Sequence, residues 1–168
     1  MIALLGCKII STLALHKDNQ IEIAFQYIEQ IGSPQSEPII ASSGGCEIIV
    51  TVILKYMVDS AVIYEACTAL FRLVINNDEI TEYFGSIGAN EAVLSVLKSY
   101  AFTSETITNI SCCVLFHLAI NIANRNKLIE NNASSLVESV IEKWPNGKTF
   151  KNAKNTLEMI NNKSFVKY

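Results

Sequence analysis

"GGCEIIVTVILKY", Gly44 to Tyr56, lies over "GANEAVLSVLKSY", Gly88 to Tyr100, at a spacing of 44 residues, with Gly44, Glu47, Val52 and Tyr56 matched by Gly88, Glu91, Val96 and Tyr100. Recurrence at a fixed period of roughly 20–50 residues marks an architecture of stacked units, each unable to bury its apolar surface alone. Further along, "ACTALFRLVIN" (Ala66 to Asn76) lies over "SCCVLFHLAIN" (Ser111 to Asn121) at a spacing of 45, so one residue is inserted in the intervening turn. Nearer the start, "GCKIISTLAL" (Gly6 to Leu15) is echoed by "GCEIIVTVIL" (Gly45 to Leu54).

Looser copies complete the array. "IEIAFQYIEQI" (Ile21 to Ile31) and "AKNTLEMINNK" (Ala153 to Lys163) correspond to the later helix of a unit, and "SSLVESVIEKW" (Ser134 to Trp144) to the earlier one. Four approximate repeats follow, 1–43, 44–87, 88–131 and 132–168, forming a single domain over residues 1–168. The outer two are the least regular, as units that cap a stack usually are. Within a unit, Ala66, Ala69, Leu70 and Leu73, and again Ile110, Val114, Leu115 and Leu118, fall on one face of a helix. Turn-forming stretches at Lys17, Val58, Phe102 and Trp144 separate the helices, and Ser104 is a helix start. Gly44 and Gly88 stand where a short helix such as "DEITEYF" (Asp78 to Phe84) ends and the chain turns. Trp144, before Pro145, is expected to cap the terminal hairpin.

A unit of about 42 residues with one short and two longer helices and a corner glycine resembles the armadillo repeat. HEAT repeats are the near alternative, but they lack the short first helix and the corner glycine. The resemblance implies an all-α, right-handed superhelix whose concave groove is lined by third helices and binds a protein or peptide segment. On that basis the groove positions are Thr68, Arg72 and Asn76 in the second unit and Cys113, His117 and Asn121 in the third, with Tyr27 in the first and Asn155 and Met159 in the last. Importin-alpha and beta-catenin, which resemble each other in a Trp and Asn ladder, differ from this chain. Here the Asn position holds Tyr27, Arg72, His117 and Met159, which suits an aromatic or acidic contact better than a basic peptide.

Composition narrows the classes further. Half of the residues are hydrophobic and 17% charged, too apolar for a disordered chain. A net charge of −3 without a dense basic cluster argues against nucleic acid. Five cysteines without a CxxC pair read as reduced core residues of a cytoplasmic or nuclear protein. The stretch Thr106 to Asn124 has no Asp, Glu, Lys or Arg, yet Asn109, His117, Asn121 and Asn124 would be costly in lipid, so it is expected to be the central buried helix of the solenoid and not a membrane span. Cys113 and His117 at i, i+4 supply two metal ligands where a structural zinc takes four, and no phosphate loop, acid pair or nucleophile elbow is present, so neither metal, cofactor nor enzyme activity is expected. The expected role is a scaffold; the alternative is a structural or regulatory segment of a larger solenoid, self-associating through its repeat ends.

Overall fold

In a computed structural model of the chain, residues 44–162 are described, and they form eight α-helices with no strand among them. These are α1 (Gly45–Lys55), α2 (Ser60–Val74), α3 (Asp78–Ser86), α4 (Ala89–Tyr100), α5 (Glu105–Leu118), α6 (Ile122–Glu130), α7 (Ala133–Lys143) and α8 (Gly147–Asn161). The first repeat, 1–43, and Tyr27 with it, lies outside the described residues.

Local chemistry sets the helix boundaries. Asp59 accepts from the Ala61 and Val62 amides, Asn77 from Ile80, Ser104 from Ile107 and Asn121 from Asn124, so α2, α3, α5 and α6 each begin on a side-chain cap. The corner between the short helix and the next one repeats every 44 residues in a left-handed conformation, at Gly44 (φ 80°), Gly88 (φ 91°) and Asn132 (φ 55°). Glycine adopts that backbone freely and asparagine tolerates it better than other residues, so Asn132 fills the glycine position of the last unit.

Two expectations are corrected at the corner after the third helix. Thr106 to Asn124 is not one helix: α5 stops at Leu118 and Asn121 caps a new one, α6. The 45-residue offset is also local, because α4 is one residue longer than α1 and α5 one residue shorter than α2. The counterpart of Asn121 is therefore Asn77, which caps α3 in the same way, and Asn76 is an extra residue in a left-handed turn at φ 58°.

The units stack so that α5 packs against α2 on one side, α8 on the other and α4 behind it. Such a helix is enclosed on several flanks, which explains its lack of charge between Thr106 and Leu118. Ile107, Val114, Leu115 and Leu118 are buried with Leu70, Leu73, Val93, Val96 and Leu97 in one continuous core. Side-chain hydrogen bonds to backbone carbonyls join successive units. Tyr100 Oη donates to Met57 O (2.7 Å), Trp144 Nε1 to Ala101 O (2.8 Å), Asn124 Nδ2 to Thr81 O (2.9 Å), Lys127 Nζ to Gly85 O (2.8 Å) and Thr156 Oγ1 to Cys112 O (2.9 Å). Trp144 thus joins its unit to the preceding one in the manner of Tyr100, beyond the capping role its sequence position suggests.

The described residues form an all-α solenoid. No helix among the described residues is long and apolar enough to cross a membrane.

Candidate functional site

The third helices α2, α5 and α8 each commit one face to the core, through Val62, Ala66, Ala69 and Leu73, through Ile107, Val114 and Leu118, and through Thr149, Ala153, Thr156 and Ile160. The helical period places a different stripe on the free side of each: Thr68 and Arg72 on α2, Cys113 and His117 on α5, Asn155 and Met159 on α8. Because the three helices are neighbours in the stack, these stripes form one surface crossing three units.

The centre of that surface is aromatic. The His117 imidazole stands edge-on to Phe71 at 5.4 Å and to Phe116 at 5.2 Å, between α2 and α8. Burial favours its neutral form and lowers its pKa from the ordinary 6.5. Phe71 and Phe116 precede Arg72 and His117 in the matched phrases "LFRL" and "LFHL", and that coincidence was the available signal for an aromatic clasp. Arg72, which follows Phe71 in α2, is exposed.

Toward α8 the lining turns to amides. Asn152 Nδ2 donates to Asn109 Oδ1 at 2.9 Å and to Cys113 Sγ at 3.1 Å, which ties α5 to α8 on the surface. Cys113 and His117 therefore face an amide and two phenyl rings. Burial pushes the Cys113 thiol pKa up, and the more enclosed Cys46, Cys67 and Cys112 reach about 12, which keeps them protonated at neutral pH. Met159 Sδ accepts a long contact (3.9 Å) from the buried Arg125 of α6, a neighbour that a helix-by-helix reading of the sequence does not reveal.

Of the remaining expected positions, Thr68 lies within the stripe and its hydroxyl bonds back to Tyr64 O at 2.8 Å, while Asn155 is exposed. Asn76 and Asn121 lie at the corners beyond α2 and α5, and the Asn121 side chain is committed to capping α6. The surface is thus an aromatic centre with one guanidinium on its rim and a row of amides on the other side. Such a lining can hold an extended backbone through amide hydrogen bonds and seat a flat apolar side chain against the rings.

Two engineered proteins with crystal structures from the Northeast Structural Genomics Consortium share this fold. One superposes with a TM-score of 0.76 over 92% of this chain and 63% of its own length, the other with 0.77 over 92% and 62%, each at 21% identity. The chain therefore spans somewhat under two thirds of those proteins, and at this identity the likeness is one of fold. No protein-family model matches the sequence, and no curated protein is significantly similar to it.

Proposed function

We propose that this chain is a non-enzymatic, armadillo-like interaction scaffold of the cytoplasm or nucleus, which binds a segment of a partner protein along the concave surface of its third helices. The single observation carrying this is the continuous stripe from Arg72 through the Phe71, His117 and Phe116 rings to Asn152 and Met159, contributed by three successive units. The two short helices α3 and α6, each leading into a left-handed corner at Gly88 and Asn132, support the armadillo comparison. Buried, protonated thiols suit a reducing compartment. Affinity capture from cell extract, read by mass spectrometry, tests the proposal with native chain beside an Arg72→Ala, His117→Ala variant of unchanged helicity. Partners lost with the variant support the groove; a partner set that is identical for both chains rejects it.

A second reading, a self-associating chain or a segment of a larger solenoid, has its own observation. Ile122 and Ile129 of α6 are 39% and 51% exposed and line a cleft of about 400 Å³ with Ile160 and Arg125. Apolar surface of this kind suits a further unit or a second copy. Mass measured against concentration in solution separates the two readings.

A further inference from the structure

Inside the array, one first helix settles on the one before it. α6 lies on α3 through Asn124, which donates to Thr81 O at 2.9 Å, and through Lys127, which donates to Gly85 O at 2.8 Å. Counted from the caps Asn77 and Asn121, the places of Thr81 and Gly85 in α3 are held in α6 by Arg125 and Ile129. Both line the cleft of about 400 Å³ between α6 and the end of α8. The cleft is thus the place at which, one unit earlier, the following stretch of chain packs.

What this seat accepts differs from the interior. Gly85 has no side chain and lets Asn124 come close, whereas Ile129 presents an apolar side chain, 51% exposed, beside Ile122 at 39% and the buried Ile160. The seat therefore suits an apolar group and not another amide. A whole further unit is disfavoured by α8. α5 turns Asn109, Cys112 and Cys113 toward α8. Counted from the caps Ser104 and Asn146, the same places on α8 hold Lys151, Lys154 and Asn155, all exposed. A unit stacked there would bury two lysines, so α8 carries the polar outer face of a capping helix.

The chain itself brings an apolar segment to this place. Asn162 lines the cleft and leaves α8 in an extended conformation, φ −76° and ψ 100°, as Ile75 leaves α2 at φ −69° and ψ 121°. The capping Asn77 and Asn121 stand three residues after Val74 and Leu118; three after Asn161 stands Ser164, a residue type that also caps helices, followed by Phe165 and Val166. Three residues of chain reach about 10 Å, which keeps Phe165 near Asn162. We propose that residues 163–168, which lie outside the described residues, fold back into the cleft and set the Phe165 ring against Ile122, Ile129 and Ile160. The segment has no Asp or Glu to meet Arg125. The guanidinium, which donates to Met159 Sδ, has further N–H groups for the segment's backbone carbonyls, and Lys163 and Lys167 stay in water. The cleft then serves this chain's own segment, not the further unit or second copy of the second reading above.

Hydrogen exchange of the full chain, read by mass spectrometry over residues 163–168, tests this. In the native chain these amides are expected to exchange about tenfold or more slowly than in the unfolded chain. Phe165→Ser should remove most of that slowing. Ile129→Ser, on a helix distant in sequence and at a half-exposed position, should do the same, while Arg72→Ala leaves the slowing intact; circular dichroism checks that each variant keeps the fold. A native segment that exchanges as fast as the unfolded chain, or slowing that survives Ile129→Ser, overturns the proposal. Slowing that disappears on dilution, together with a falling mass in solution, overturns it in favour of a second copy.

Discussion

Trp144 Nε1 donates a 2.8 Å hydrogen bond to the carbonyl oxygen of Ala101, 43 residues upstream, just as Tyr100 Oη donates at 2.7 Å to Met57 O, also 43 residues upstream. The same place in two successive units, the end of the second helix, reaches back to the turn of the unit before. Different aromatic groups serve because both carry a polar atom at the tip of a flat apolar body.

Trp144→Phe retains most of the apolar body and removes the donor, leaving the oxygen of fully buried Ala101 without this partner. The expected cost is about 1–3 kcal/mol, the penalty for an unsatisfied buried polar group. Tyr100→Phe should cost a similar amount. Urea denaturation reads both, and a Trp144→Phe chain with an unchanged midpoint would show that the bond contributes nothing net.

Much of this architecture is legible in the sequence because local chemistry and period coincide. The glycine corners at 44 and 88, the short helix at Asp78 and the start at Ser104 all have residue-level causes. The break after Leu118 was hidden because "LAINIAN" is apolar on either side of Asn121, whose capping role is visible only once the chain turns there. Phe71 and Phe116 stand in matched phrases, yet the period assigns them to neither the core nor the surface, since it does not separate a core aromatic from one lining a surface. Asn152 and Arg125 contact residues 34–43 positions away, and no local pattern encodes such a meeting.

The least legible requirement is at Gly85, in the last turn of α3. A Cβ built there would lie 1.5 Å from Asn124 Oδ1 of α6, the side chain that donates to Thr81 O and accepts from Asn90 Nδ2. Gly85→Ala must therefore push the two first helices apart, at an expected 1–3 kcal/mol typical of overpacking. Asn124→Ala in the same chain opens the space, so the double substitution should cost less than the sum of the single ones. Strict additivity in thermal denaturation would show that the two positions do not meet.

Gly88 is constrained by its own backbone. At φ 91° it occupies the left-handed region, whereas an added Cβ would meet only Glu91 Oε2 at 3.9 Å, an ordinary contact. Gly88→Ala should thus cost about 1–2 kcal/mol from conformation alone. Asn132 performs the same turn at φ 55°, and Asn132→Gly should change stability by less than about 0.5 kcal/mol, because asparagine already accepts this region. Equal effects at the two corners would contradict a backbone origin.

Acidification should act on the third-helix surface through His117. Burial lowers its pKa in the folded chain below 6.5, whereas the unfolded chain titrates at its ordinary value. Between those two values the unfolded state holds more protons, so stability rises with pH; the contribution is complete above about 6.5 and is lost as pH falls toward the folded value. Protonation also turns a neutral ring packed against Phe71 and Phe116 into a cation, which disfavours a cationic partner and favours an acidic one. His117→Gln keeps a polar side chain that does not titrate, so it should flatten the stability profile as pH falls below about 6.5. Chemical denaturation across that range checks the slope. Parallel profiles for the native and His117→Gln chains would mean that His117 is as freely hydrated in the folded protein as in the unfolded one.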